Sequence, residues 1–317
     1  MNLLVIVLSS QLLYYLLIAQ TGVVGAFVSH IHDLYNLPNG GGLGSLLSAL
    51  WRHQDLKMEL TFLFGMQMMI SWFYPNYSLG MLLALGFVVG YTTPILLYIF
   101  GSQRKAQLAF GLAISYAIGT ALYTYPFEER RVIALALPLI SIMALHFFDL
   151  KRLIQIEYKK FPWRLVAVMM LWIFADSALF ETLSRSGSMD IWSEYTVVII
   201  VSHLIGVYGA YHFGDELLKQ TPVVLGLFVM SYLLYWLEIP LLLAIVYPIV
   251  ISYYNVLVFH KLMQLRNIRV TALAMIGVGW IATSAANAIA LQHQLWIAVS
   301  VLGIFSLVYP FYFRRIS

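Results

Sequence analysis

The chain has no cysteine. Disulfides, thiolate metal sites and cysteine nucleophiles are therefore excluded. Charge is also scarce: only 10% of the 317 residues are Asp, Glu, Lys or Arg, against roughly 25% in soluble domains. No Gly-rich loop ending in Lys-Ser/Thr is present to cradle phosphates, which argues against an ATP-driven pump within this chain. No shift in composition or low-complexity stretch marks a soluble domain. What the chain does have is apolar bulk, 62% hydrophobic residues and a mean hydropathy of +0.85. Lipid is the solvent that such a composition requires. The net charge of +4 does not point to nucleic acid, because the basic residues sit at the ends of apolar runs, where headgroups and the positive-inside rule account for them.

A helix crossing about 30 Å of hydrocarbon needs about 20 mostly apolar residues. With backbone groups obliged to pair internally, such runs are expected to be helices. The pattern predicts about eleven: 2–27, 59–74, 78–100, 107–125, 132–148, 164–183, 195–212, 221–237, 240–262, 269–290 and 295–313. The first run lacks a basic n-region and a small-residue cleavage site, so it reads as a retained helix. Arg52, Lys57, Arg104, Lys105, Lys151, Arg152, Lys159, Lys160, Arg164, Lys219, Lys261, Arg266, Arg269, Arg314 and Arg315 fall on one side of this map. Only Arg130, Arg131 and Arg185 fall on the other. The expected location is thus a bacterial-type cytoplasmic membrane, crossed many times, with the C-terminus in the cytoplasm. An odd number of crossings puts the N-terminus outside.

The expected fold is all-α, a polytopic helical bundle with a 5+6 pseudo-repeat. Residues 1–148 form an N-terminal half of about five crossings and 165–317 a C-terminal half of about six. Residues 149–164 mix Leu, Ile, Tyr and Phe with Lys, as an amphipathic helix on the inner leaflet does. Arg104-Lys-Ala-Gln-Leu108-Ala109-Phe110 lines up with Arg269-Val-Thr-Ala-Leu273-Ala274-Met275, both opening a helix that follows a descent to the cytoplasm. Paired repeats of this kind build central transport sites.

Gly206-Val-Tyr-Gly209-Ala-Tyr-His-Phe-Gly214-Asp215-Glu216-Leu-Leu-Lys219 stands at the cytoplasmic end of the second helix of the C-terminal half. Six helices with short loops, starting and ending in the cytoplasm and carrying such a loop there, resemble half of a major facilitator superfamily transporter. The resemblance implies a permease for a small solute, with Gly209, Gly214, Asp215 and Lys219 in a gating loop. Lys219 is the one basic residue of that loop. The resemblance also leaves the first half one helix short, the missing one being the first, which in that family helps to line the substrate path.

Ionisable groups inside membrane helices are costly and are candidates for function. Asp176 lies past the middle of its apolar run, between Phe174-Ala175 and Ser177-Ala178. It is the candidate for proton coupling. The alternative is a buried Asp hydrogen-bonded to Ser or Tyr on a neighbouring helix. Glu181 is about 140° further around the helix and is spaced to pair with Arg185. His203 and His212 are about two and a half turns apart, so they face opposite sides and cannot share a metal. His212 is a gate or interfacial candidate beside Asp215 and Glu216. His146 and His260 stand near cytoplasmic helix ends, where a cation complements the dipole.

His30, His32 and Asp33 are close enough in sequence to suggest a metal site, or else a flexible cytoplasmic loop whose glycines, Gly40 to Gly42 and Gly44, permit a re-entrant turn. Leu37-Pro-Asn39-Gly-Gly is similar to the Leu-Pro-His-Gly stretch of membrane carotenoid-cleaving dioxygenases, and His212-Phe-Gly to their His-Phe-Gly. Asn39, however, stands where the histidine belongs, and His260 has only Leu262 and Gln264 nearby. Glu128-Glu129-Arg130-Arg131 reads as solvated interface charge. Three functional readings follow: a small-solute permease that is coupled to protons, a membrane enzyme acting on lipid or isoprenoid, and a non-catalytic subunit that requires a protein partner. The lipid bilayer is a partner in all three, and no cofactor is expected.

Overall fold

Helices form wherever the apolar runs lie, and in one place where no such run exists. The computed structural model describes residues 3–27, 31–148, 156–157, 160–185, 189–214 and 216–312, and every regular element among them is helical. The first stretch is α1 (Leu3–Tyr14), a π turn over Tyr15–Gln20 and α2 (Thr21–Ala26). Then come α3 (Asn36–Leu50), α4 (Leu56–Ser71), α5 (Leu79–Phe100), α6 (Lys105–Ala121) and α7 (Arg131–His146). The remainder comprises α8 (Trp163–Arg185), the one-turn α9 (Ile191–Glu194), α10 (Thr196–Phe213), α11 (Leu217–Trp236), α12 (Pro240–Gln264), α13 (Ile268–Met275), a second π turn over Ile276–Ile281, α14 (Ala282–Leu291) and α15 (Leu295–Tyr312). Seven helical runs are long and apolar enough to cross a membrane, and Arg131–His146 and Leu295–Tyr309 are shorter apolar helices. The protein is an integral, multi-pass membrane protein.

The helix that the sequence did not announce is α3. Its residues were expected to form a loop, because it holds Asn36, Pro38, Asn39 and four glycines. Each glycine costs a helix about 1 kcal/mol relative to Ala in water. The structure shows what offsets this. A Cβ at Gly40 would lie 2.0 Å from the Leu83 carbonyl oxygen, and one at Gly44 2.1 Å from that of Phe87. Reciprocally, a Cβ at Gly86 would lie 1.9 Å from the Leu37 oxygen and one at Gly90 2.1 Å from that of Gly41. Helices α3 and α5 thus touch backbone to backbone, the contact that small residues permit between membrane helices. Ser45 donates its hydroxyl to the Gly90 carbonyl at 3.0 Å. Both ring nitrogens of His53 then tie the end of α3 to α4, Nδ1 at 2.7 Å from Glu59 and Nε2 at 2.9 Å from the Ser48 carbonyl.

With α3 included, six helical rods precede residue 147 and six follow it among the described residues, when each π-interrupted pair counts as one rod and α9 is set aside. Five helices were expected in the first half; the additional rod, α3, is the second in chain order. Helices α6 and α13, which carry the matched Arg104 and Arg269 stretches, become the fifth rods of their halves.

By internal contacts the chain forms two units. The first is Met1–Phe161 with Phe259–Ile276, the second Pro162–Val258 with Gly277–Ser317. Local caps fix the helix starts: Asp55 accepts from the Lys57 and Met58 amides, Ser78 from Met81 and Asn267 from Val270. Lys57 caps the opposite polarity, donating to the His146 and Phe148 carbonyls at the end of α7. In the first unit, Asn267 Nδ2 donates to the Ile156 carbonyl while the Ile156 amide donates to Arg266. The rest of the predicted amphipathic segment lies largely outside the described residues.

Candidate functional site

In the second unit, α8 sets Asp176 against one face of α12. Tyr247 and Tyr254 are seven residues apart, close to two turns, so both hydroxyls point the same way. Tyr247 donates to Asp176 Oδ1 at 2.8 Å and Tyr254 to Oδ2 at 2.5 Å. On α11, Tyr232 donates to the Ala175 carbonyl at 2.7 Å. Trp172 and Phe228 flank the Tyr254 ring, with centroids 6.4 and 5.7 Å away, and Trp192 stands 6.3 Å from Tyr247. Trp172, Phe228, Tyr232, Tyr247 and Tyr254 are all fully buried. No basic side chain pairs with Asp176 among the described residues. Among the described residues, the side chains that bond to this carboxyl are the two phenolic O–H groups.

The other sequence candidates do not join this cluster. His203 is buried, with Nδ1 2.5 Å from Ser252 Oγ, and so it meets α12 on a different face. Gly206 brings α10 onto α12, since a Cβ there would lie 2.4 Å from the Ile249 oxygen. Glu181 is buried at 3% exposure, and the Arg185 side chain lies outside the described residues. His212 is exposed, with its ring 4.3 Å from that of Tyr208. In the loop, Gly209 has ordinary contacts with Tyr253, Gly214 is tight against the Ala210 carbonyl, and Lys219 pairs with Glu216 at 3.0 Å. Asp215 and His30 lie outside the described residues, as does the His32 side chain. Asp33 sits in a 3-10 turn over Ile31–Tyr35. No cluster of three His, Asp or Glu groups forms among the described residues.

Arg130, expected in solvent, is 4% exposed. Its guanidinium donates to the carbonyls of Tyr125 (2.9 Å), Tyr123 (2.6 Å) and Leu17 (2.9 Å) and to the Thr21 hydroxyl (2.8 Å). Leu17 belongs to the π turn, and its carbonyl also accepts from the Thr21 hydroxyl at 3.3 Å. Burial lowers the Arg130 pKa, opposed by Tyr74, Tyr123 and Glu128. Burial likewise pushes the Tyr74 hydroxyl up to about 12, against the pull of Arg130.

No family model and no curated sequence matches the chain. Solved structures do. The human organic anion transporter MFSD10 (TETRAN) superposes with a TM-score of 0.68 at 14% identity, over 97% of each chain. A bacterial homologue of the iron transporter ferroportin, in an outward-facing state, gives 0.61 at 12%, over 97% of each. A D-xylose-proton symporter gives 0.62 at 13%, over 97% of this chain and 96% of its own. The chain has a major-facilitator fold. At these identities the likeness is one of architecture, extending over both halves, including the first half that looked one helix short.

Proposed function

We propose that this chain is a secondary transporter of a small solute, coupled to protonation of Asp176. The observation that carries the reading is a carboxyl inside a membrane helix, bonded through both oxygens to α12 and paired with no base among the described residues. An ionised carboxylate accepts from both phenols. A protonated one has a donor of its own, so one phenol must turn from donating to accepting. The proton is thereby felt by α12, which carries Pro248 inside it, where the backbone lacks a donor. The major-facilitator fold supports transport as the use of that coupling. The same fold supports twelve crossings, with both ends of the chain in the cytoplasm.

The test uses the full chain in proteoliposomes with a pH-sensitive dye inside, challenged with a panel of sugars, organic anions and amines. The expected result is a solute that moves protons with the wild type and not with Asp176→Asn. In parallel, infrared difference spectra across pH should show a protonated-carboxyl band that this variant lacks. Uptake with unchanged pH dependence in Asp176→Asn would sink the coupling role.

A further inference from the structure

We infer that His203 is a positioning residue for the Asp176 site: it holds the part of α12 that follows Pro248, so that Tyr254 stays a fixed donor and Tyr247 is the phenol that turns. The inference rests on the reading of Asp176 as a proton site and deepens it.

Asp176 bonds to α12 on both sides of its proline. Tyr247 stands immediately before Pro248 and Tyr254 six residues after it, and each bonds a different carboxyl oxygen. The proline removes the amide that would have bonded the Ala244 carbonyl, so the two parts of the helix are joined less firmly there than elsewhere. On another face, α10 grips the later part. His203 Nδ1 lies 2.5 Å from Ser252 Oγ, and the Pro248 carbonyl also faces its ring. One turn on, Gly206 brings the α10 backbone against Ile249. His203 and Ser252 are both buried.

The two phenols are not equivalent. The Tyr254 hydroxyl donates to Oδ2 at 2.5 Å. The Tyr247 hydroxyl is 2.8 Å from Oδ1 and also 3.0 Å from the Asp176 backbone carbonyl. A phenol has one proton to give and can also accept. When Oδ1 takes up a proton, Tyr247 can give its own to that carbonyl and accept the new O–H without leaving its place. Tyr254 has only to hold its distance, and the grip of α10 on Ser252, two residues away, provides this. Other groups near the carboxyl do not compete for the proton. Tyr232 of α11 donates to the Ala175 carbonyl, and α9 contributes Trp192. Glu181, on α8 itself, is about 140° around the helix. Helices α14 and α15, which also pack on α8, carry no Asp, Glu, Lys, Arg or His.

The experiment is infrared difference spectroscopy of the full chain in nanodiscs, following the pH midpoint of the protonated-carboxyl band of Asp176. His203→Phe keeps a ring and loses the hydrogen bonds. Ser252 can then donate to the carbonyl four residues back, so its hydroxyl is not stranded. The midpoint is expected to move by about one pH unit or more. His203→Asn, whose amide stands where Nδ1 does, is expected to restore it, and the exposed His212→Asn to leave it at the wild-type value. If His203→Phe yields no folded protein, Ser252→Ala removes the same bond and takes its place. An unchanged midpoint overturns the inference, as does a shift that His203→Asn does not reverse, since packing alone would then explain the histidine. A wild type with no such band fails the reading of Asp176 and this inference with it, whereas a band that stays put in the variants fails only the role of His203.

Discussion

Arg130 and Arg131 are neighbours in sequence with opposite fates. Arg131 is exposed and lies 4.9 Å over the ring of Trp72, so Arg131→Ala should change stability by no more than about 0.5 kcal/mol. Arg130→Ala would remove the donor of four hydrogen bonds, leaving the carbonyls of Tyr123 and Tyr125 without it and the buried Leu17 carbonyl with the Thr21 hydroxyl alone. Each buried unsatisfied group costs about 1–3 kcal/mol, so a large drop in melting temperature in detergent is expected. Arg130→Lys should recover only part of it, because an ammonium has three donors and no planar fork. Equal melting of the Arg130→Ala and Arg131→Ala variants would contradict this. Only the fate of Arg131 was legible in Glu128-Glu129-Arg130-Arg131, where four charges in a row read as solvent-facing. Asp176 was legible, because one charge in an apolar run stands out. Its partners were legible in kind, as a Ser or Tyr on a neighbouring helix, but not in position, since Tyr247 and Tyr254 are two of 21 tyrosines and nothing in their own run sets them apart.

Among the elements, α3 shows where hydrophobic patterning stops being informative. The apolar runs predicted the other rods to within a few residues, because lipid-facing helices must be apolar. A helix whose partner is another backbone needs small residues, and glycine reads as a loop. The contact makes a sharp prediction. Gly40→Ala, Gly44→Ala, Gly86→Ala and Gly90→Ala should each cost more than about 3 kcal/mol, beyond ordinary overpacking, and yield little monodisperse protein in detergent. Gly42→Ala, where a Cβ meets nothing within 4 Å, should purify and melt like the wild type or better. Similar yields from Gly42→Ala and Gly86→Ala would mean that α3 and α5 are not in backbone contact.

For the molecule as a whole, a crossing by α3 would change the parity of the crossings. Eleven crossings leave Asp33 in the cytoplasm, whereas twelve carry it to the outside, while the 15-to-3 division of basic residues is unchanged. The absence of cysteine makes the check direct. In intact cells, a membrane-impermeant maleimide should label Asp33→Cys and Asn76→Cys but not Gln54→Cys. Protection of Asp33→Cys alone would restore the odd count and return the N-terminus to the outside. The glycine contact also bears on biosynthesis. Helix α3 leaves the ribosome before α5 exists, with too many asparagines and glycines to favour lipid by itself. If it crosses, it would have to wait at the interface or in the insertion machinery until its partner is made, and entry into the membrane would here be a cooperative act of two helices and not a sequence of independent ones.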